Sequence, residues 1–162
     1  PVSVPDGYNS YDLLTDLGSP EEVERIVRID PSTQRFHTTR YENGLPGGVE
    51  FPVSAGEGYL VYMHRARTIF NIGFMLPVER FLYPGMNIVS LPPMPTGWTS
   101  HDLMAQLGPP REAASVQWFE PQTATFRTTT FANGRIVGSV FGTRPGEAYL
   151  VHMMVTKPLS VH

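Results

Sequence analysis

Residues 56–63 read "GEGYLVYM" and residues 146–153 read "GEAYLVHM", so nearly the same apolar run occurs twice in one short chain. Sliding the chain along itself by this distance aligns 7–63 with 97–153 without a gap, and about 40% of the aligned positions are identical. Self-similarity at a fixed period indicates repeated structural units. The sequence therefore predicts two copies of one unit.

Composition indicates a folded globular protein. Of the 162 residues, 41% are hydrophobic and 17% are charged, which is unlike the composition of disordered chains. The net charge of -3 provides no clustered basic surface for nucleic acid or an anionic membrane. No apolar run approaches the roughly 20 residues that span a bilayer. The absence of Cys excludes disulfides and thiolate metal sites, and the 15 Gly and 16 Pro favour a turn-rich fold.

Each unit begins with a predicted short helix. Ser10 and Ser100 stand where an N-cap is expected, and Asp12 and Asp102 lie in the first turn, beside the positive end of the helix. Apolar residues at i, i+1 and i+4 then predict one buried face, and a Gly follows it at the expected end of the helix. These residues are Leu13, Leu14, Leu17 and Gly18 in the first copy and Leu103, Met104, Leu107 and Gly108 in the second.

A second helix start is predicted in the first copy only. In "SPEE", Ser19 is a candidate cap, Pro20 suits the first helical position and Glu22 closes a capping box. The second copy has Pro109 in place of the Ser, so this cap is lost there.

The period then changes to that of β-strands. The sequence predicts four strands in each copy, with tight turns at Asp30-Pro31 and Glu120-Pro121. Asn43-Gly44 and Asn133-Gly134 predict two-residue type I′ hairpins, because that turn requires positive φ at both central residues. The third strand is expected to end at Phe51 or Phe141. The continuous apolar runs "GYLVYM" and "AYLVHM" are typical of buried central strands.

The predicted fold class is α+β and mainly antiparallel β, with each unit a short helix plus a β-meander. A unit of about 80 residues has a marginal core, so we expect the two to pack as a pseudo-symmetric pair. The first repeat unit is expected over 1–75, and connecting strands with the second unit over 76–162. The two form either separate domains or one compact two-repeat domain.

The connection contains two further predicted strands, "TIFNIGFML" and "MNIVSLP". The counterpart of the latter in the first copy would lie upstream of residue 1. The first unit is therefore expected to lack an edge strand or to borrow one, either from the C-terminal "VTKPLSVH" or from another chain. An unpaired sheet edge is a natural docking point for the strand of a partner.

Two segments carry a resemblance to a known repeat. "YPGMNIVSLPPMP" and "PGEAYLVHM" resemble a module of secreted and surface-anchored bacterial proteins that runs Gly-Trp-Asn-Leu-Ile-Ser-Leu-Pro, then a helix, then strands, then Gly-x-Gly-Tyr-Trp-Val. The chain departs from this pattern at Met86, where Trp is usual, and at Leu60 and Leu150, where a second aromatic is usual. The resemblance implies an accessory module beside enzymes or adhesive domains, and no catalytic residues. The beginning "PVSVPDG", without an initiator Met or signal peptide, indicates a piece of a longer, processed or engineered protein.

Recurring carboxylates are the first candidates for chemistry. Glu57 and Glu147 recur between small residues before the last strand, where they could receive loop N–H groups or, as weak metal candidates, bind Ca²⁺. Glu22 and Glu112 are interpreted as residues of a helical first turn. No spacing of carboxylates requires the pair that sugar hydrolysis uses. The sequence therefore predicts no catalytic site and no cofactor, and it lacks the run of Asp and Asn typical of a calcium-binding loop.

Other reactive patterns are missing. The histidines, His37, His64, His101, His152 and His162, show no metal-ligand spacing, and none recurs in the other copy. The sequence contains neither a G-x-S-x-G nucleophile motif nor a phosphate-binding loop with Lys-Ser/Thr.

Aromatic residues provide the alternative, a ligand surface. Tyr8 and Trp98 follow a Gly at the start of each helix, Tyr11 lies one turn later, and Trp118 lies in the first strand of the second copy. Such rings either stack on sugars or fill the core between helix and sheet.

The expected function is a non-catalytic extracellular or cell-surface accessory module: a spacer, adhesion or protein-docking domain. The expected partners are neighbouring domains or a protein bound at an exposed sheet edge. A carbohydrate-binding module using those aromatics is the alternative, and a hydrolase is the third.

Overall fold

The computed structural model describes residues 4–66, 80–91 and 95–159. These residues form mainly antiparallel β-sheets with two short helices, which confirms an α+β fold that is mostly β. The elements are α1 (Ser10–Leu17), β1 (Val23–Asp30), β2 (Arg35–Glu42), β3 (Leu45–Gly48), β4 (Leu60–Met63), β5 (Arg80–Leu82), β6 (Gly85–Ser90), α2 (Ser100–Leu107), β7 (Ala113–Glu120), β8 (Thr125–Ala132), β9 (Arg135–Gly138), β10 (Ala148–Met153) and β11 (Lys157–Leu159).

Three sheets contain these strands. The first has the order β3-β2-β1-β4, the second β6-β10-β7-β8-β9, and β11 pairs with β5 in a third. We name α1 with the first sheet the first unit, and α2 with the second sheet the second unit.

The predicted meander is wrong at its last strand. β1, β2 and β3 follow one another through hairpins, but β4 lies beside β1 rather than β3, and β10 likewise lies beside β7. This is the strand order of a Greek key. The cause is the segment after β3, which crosses to the start of α1: the Ser10 N–H donates to the Phe51 carbonyl and the Val53 N–H to the Tyr8 carbonyl.

β3 and β9 end earlier than predicted, at glycines. Gly48 and Gly138 have φ of 83° and 100°. A Cβ on either would lie 2.5 or 2.4 Å from the Thr38 or Thr128 carbonyl oxygen, a contact that no side chain tolerates. The chain leaves the sheet there, so Phe51 lies beyond the strand and is buried in the core.

The helix caps are one residue earlier than predicted. Asn9 and Thr99 are the N-caps, and each forms a capping box with Asp12 or Asp102. Ser10 and Ser100 are instead the first helical residues, and both are fully buried. The predicted apolar faces and the glycines at the helix ends are confirmed.

The predicted second helix at "SPEE" is wrong, because these residues form a turn. One half of the capping box is present, since the Ser19 N–H donates to Glu22 Oε2 at 3.0 Å. β1 begins at Val23, directly after it, so no residues remain for a helical turn. In the second unit, Glu112 instead binds Lys157 Nζ at 3.0 Å.

The predicted hairpins are confirmed. Asn43 and Gly44 have φ of 53° and 82°, Asn133 and Gly134 have 51° and 75°, and each pair joins adjacent strands. Positive φ at both positions is the requirement of the type I′ turn.

A buried hydroxyl network recurs in the two units. In the first, Thr39 Oγ1 lies 2.7 Å from Ser10 Oγ and 2.6 Å from the Val49 carbonyl, and the Phe51 N–H donates to Ser10 Oγ at 3.1 Å. In the second, Thr129 and Ser100 make the matching contacts at 2.7, 2.6 and 3.2 Å. The network ties the helix to the sheet and to the crossing segment.

The strand "MNIVSLP" is confirmed as β6, and "TIFNIGFML" lies outside the described residues. The C-terminal segment supplies β11 to β5, so it does not complete the sheet of the first unit. No described strand pairs with the outer edge of β4. "AYLVHM" is a central strand as predicted, whereas "GYLVYM" forms the edge of its sheet and leaves Val61 40% exposed.

We expect Ser10→Ala to lower the free energy of unfolding by about 1–3 kcal/mol, because it leaves the Phe51 N–H and the Thr39 hydroxyl short of a partner in the core. Ser19→Ala, which removes an exposed hydroxyl, should change it by less than about 0.5 kcal/mol. Urea unfolding measures both. Equal effects of the two substitutions would contradict a stabilising role for the network.

Candidate functional site

Glu57 lies at the centre of an ion-pair cluster between the two units. Arg28 of β1 donates to its two oxygens through Nε and Nη2, at 3.1 and 3.0 Å. Arg80 of β5 donates to Glu57 Oε1 at 2.8 Å, and the Tyr59 hydroxyl donates to Oε2 at 2.8 Å. The Glu57 side chain is 9% exposed, so this carboxylate is buried with two cations and a hydroxyl. We call Arg28, Glu57, Tyr59 and Arg80 the Glu57 cluster.

The cluster fixes the charge of Glu57. Burial by itself raises the pKa of the carboxyl, but hydrogen bonds from Arg28 and Tyr59 and the charges of Arg28 and Arg80 outweigh it, so the pKa lies below its ordinary value. The hydrogen bond and charge of Glu57 also raise the pKa of Arg28. Burial, followed by the charge of Glu57, raises the pKa of Tyr59. Arg28 and Glu57 therefore stay charged, and Tyr59 stays neutral, near neutral pH.

The same region holds strand β6 by its outer edge. The Gly58 N–H donates to the Ile88 carbonyl at 3.1 Å, and the Ser90 N–H donates to the Gly56 carbonyl at 3.0 Å. One residue pair further along, the Gln34 side chain donates to the Met86 carbonyl at 3.0 Å and accepts from its N–H at 2.6 Å. The first unit thus forms hydrogen bonds with Met86, Ile88 and Ser90, the residues of β6 whose backbone groups point away from β10.

The matching surface of the second unit is an open groove of about 430 Å³. We call it the Trp118 groove. It is lined by Trp118, Glu120, Pro121, Gln122, Arg127, Gly142, Arg144 and Glu147. The corresponding cavity beside Arg28 and Glu57 measures only about 10 Å³, because β5 and β6 fill it.

The ion pairs of the Trp118 groove are longer than those of the Glu57 cluster, although Glu120 also accepts from the Thr123 hydroxyl at 2.8 Å. Glu147 accepts from the Tyr149 hydroxyl at 3.1 Å and lies 3.6 Å from Arg144, whose side chain is 73% exposed. Glu120 lies 3.7 Å from Arg127. Trp118 packs its ring against Phe141, at 6.0 Å between centroids, and is half-buried. The groove therefore offers a flat ring flanked by accessible charges of both signs.

The predicted aromatic residues do not form one site. Tyr8 lines a different cavity, of about 660 Å³, between residues 4–9 and 50–55, and its hydroxyl donates to Asp16 at 2.6 Å. Tyr11 donates to the Gly48 carbonyl at 3.1 Å. Trp98 is half-buried, and neither it nor Tyr11 lines either cavity. Of the four, Trp118 alone lies in the groove with Glu147.

The interpretation of Glu57 as an acceptor of loop N–H groups is wrong, because two guanidinium groups and a phenol occupy its oxygens. Two cations at this distance also disfavour binding of a metal ion there. Among the described residues, no group of three or more His, Asp or Glu is placed to hold a metal. Within the same ranges, no helix has the length and hydropathy needed to cross a membrane.

The chain matches no known protein family, curated protein or solved structure.

Sequence reasoning missed Arg28, Arg80 and Gly58 as partners of Glu57 and β6. Arg28 and Arg80 lie 29 and 23 residues from Glu57 in other elements, so no local spacing relates them. One signal was available: Gly58 differs from its counterpart Ala148 inside an otherwise matching run.

We expect Glu57→Gln to lower the free energy of unfolding by about 3 kcal/mol, because it leaves two half-buried guanidinium groups, 17% and 19% exposed, without a counter-charge. That corresponds to a fall in melting temperature of about 6–12 °C. The matched control is Glu147→Gln, whose carboxylate accepts from the Tyr149 hydroxyl but has only the exposed Arg144 as a cation, and it should cost less than about 1 kcal/mol. Calorimetry of both variants checks this, and equal losses would contradict a special role for the Glu57 cluster.

The lowered pKa of Glu57 also predicts a pH dependence. A carboxylate with a lower pKa in the folded state stabilises the fold above its unfolded pKa, and this stabilisation is lost as the pH falls through the folded pKa. From its ordinary value of 4.5 downward, the unfolding free energy of the wild type should therefore approach that of Glu57→Gln. Urea unfolding of both proteins between about pH 6 and pH 3 measures the gap. A gap that stays constant over this range would refute the assignment.

Proposed function

We propose that this chain is a non-catalytic accessory module of a larger secreted or cell-surface protein, and that it docks a protein partner at an open sheet edge. The observation that carries the proposal is a difference between equivalent valines. Val151 of β10 is fully buried behind β6, whereas Val61 of β4 is 40% exposed. An apolar strand with an unpaired edge is the recognition surface used in β-strand addition.

The two units are proposed to pack as a pseudo-symmetric pair. Gly58 and Ala148 are equivalent positions, and a Cβ built on Gly58 would lie 2.9 Å from the Ala148 Cβ. Equivalent residues meet each other at a two-fold axis, and a head-to-tail arrangement would separate them. A two-fold relation therefore accounts for this contact.

A non-catalytic role is favoured by the use of the recurring carboxylates. Asp12 and Asp102 cap the helices, Glu57 joins two arginines, and Glu112 binds Lys157. A general acid needs a pKa near the working pH, whereas the pKa of Glu57 is lowered.

A carbohydrate-binding module is the second candidate, and the Trp118 groove is the observation that favours it. Sugar recognition combines a flat aromatic ring with a few convergent polar groups, which Trp118, Gln122 and Glu147 can supply. Tyr8, Tyr11 and Trp98 lie elsewhere and add nothing to this groove.

A thermal-shift panel of oligosaccharides, polysaccharides and Ca²⁺ tests the proposed function. A ligand at about 100 times its Kd adds roughly 2.7 kcal/mol, which for a chain of this length is a rise of about 5–10 °C. We expect no shift from any member of the panel. A sugar whose shift disappears in Trp118→Ala, while Trp98→Ala retains it, would replace the docking function with the carbohydrate-binding one. Turnover of a polysaccharide with a bell-shaped pH profile would show a hydrolase instead.

A further inference from the structure

The outer edge of β10 is paired with β6, and the residues of β6 show which kind of strand this edge binds. β6 pairs with β10 over its whole length, from Ala148 opposite Ser90 to Met153 opposite Gly85. Val89 of β6 and Leu91 just after it enter the core of the second unit. β6 is thus an extended strand that sends Val89 and the following Leu91 into the core, with the buried Asn87 opposite Val151.

In the first unit, the equivalent edge has no partner strand among the described residues. Tyr59 and β4 repeat the sequence of Tyr149 and β10 except at Tyr62, and β1 pairs with the inner edge of β4. The buried cluster of the first unit consists of Leu14, Leu17, Val23, Ile26 and Phe51, and among the described residues no neighbouring strand adds side chains to it as β6 adds Val89 to the second. The exposure of Val61 is the consequence.

The other edge of β6 forms hydrogen bonds with residues 56–58. In the same loop, Glu57 accepts a hydrogen bond from Arg80 of β5, the strand that precedes β6. The equivalent loop of the second unit is 146–148, which borders the Trp118 groove. Because Gly58 lies against Ala148, this loop and the start of β4 lie side by side. A strand beside β4 would therefore also meet 146–148, as β6 meets both β10 and 56–58.

We propose that the outer edge of β4 and the loop 146–148 form one slot for an extended segment of a partner protein with the chemistry of β5 and β6. This inference rests on the docking function proposed above and names the partner. Like Val89 and Leu91, two alternate residues of the segment are apolar and add to the core of the first unit, while its backbone pairs with β4 beside Val61. An upstream Arg of the segment reaches Glu147 beside Trp118. A guanidinium there pairs with the carboxylate, as Arg80 does with Glu57, and stacks on the indole ring.

Ala148 gives the slot a specificity of its own. A Cβ on Gly58 would lie 2.4 Å from Ile88 Cγ2, so the first loop accepts Ile only because it carries Gly. The second loop carries the Cβ, which excludes a β-branched residue at the same place in the partner strand. The slot is therefore selective for a segment with Ala or Gly there.

The test uses synthetic peptides with the sequence of residues 80–91, "RFLYPGMNIVSL", and the same sequence with Ile88→Ala. The protein carries Trp98→Phe, so that Trp118 is its single Trp and the peptides contribute none. Fluorescence titration should show the Ile88→Ala peptide binding at least about tenfold more tightly. Ala148→Gly in the protein should abolish this preference, because it restores the space that Gly58 provides.

Further variants locate the bound peptide. A peptide with Arg80→Gln should bind about tenfold more weakly to the wild-type loop and no more weakly to Glu147→Gln. Val61→Lys in the protein should weaken binding strongly, whereas Val137→Lys, at another exposed valine on β9, should not. In hydrogen exchange, the Val61 amide should become protected when the peptide is bound.

Three results would overturn the slot. These are the absence of binding by both peptides, equal binding of a scrambled peptide, and binding that Val61→Lys leaves intact. A concentration-dependent dimer in sedimentation that the peptide fails to dissociate would assign the edge to a second copy instead. If neither peptide binds and no sugar or cation shifts the melting temperature, the slot is refuted but the docking function is not. A sugar-induced shift overturns the docking function itself.

Discussion

The architecture depends on a single strand that is paired on both sides. β6 forms a ladder with β10 inside its own sheet, and its other edge is satisfied by Gly56, Gly58 and the Gln34 side chain of the first unit. Backbone groups of a buried strand must find partners, so β6 joins the two units through main-chain hydrogen bonds to Gly56 and Gly58 and side-chain bonds from Gln34. The Glu57 cluster then adds charge pairing across the same junction.

The two units share their interior contacts and differ at the surface that faces β6. The Ser10–Thr39 network, the capping box and the stacked Phe51–Tyr59 pair recur in the second unit with nearly the same geometry. The residues of the first unit that contact β5 and β6 have different counterparts in the second unit. Arg28 corresponds to Trp118, Gln34 to Ala124 and Gly58 to Ala148. Side chains that pack inside a unit must stay complementary to one another. The contact with β6 needs the matching residues in only one of the two units. The second unit presents a different surface, the Trp118 groove, at the same place.

Features set by neighbouring residues could be predicted from the sequence, and features set by distant ones could not. The Asn43-Gly44 hairpin follows from backbone sterics, and the apolar face of α1 follows from helical spacing. The position of β4 beside β1 is decided by where the crossing segment meets α1, which alternation in a strand does not encode. The cap was misplaced because Asn9 and Ser10 are both good capping residues, and the buried partners of Ser10 decide between them. Trp118 was correctly singled out, but its groove depends on β6 being absent from that side.

The buried charges of the Glu57 cluster need a reason beyond stability. Burying a carboxylate and two guanidinium groups costs desolvation, and apolar side chains of the same volume often serve stability equally well. A β junction held by main-chain bonds alone is prone to slip, because each residue offers the same donor and acceptor. Arg80 reaches Glu57 in only one register of β5 and β6 against the first unit, and Arg28 fixes the orientation of that carboxylate with two parallel bonds. The ion pairs therefore specify which residues of β6 meet Gly56 and Gly58, and with them the relation between the two units.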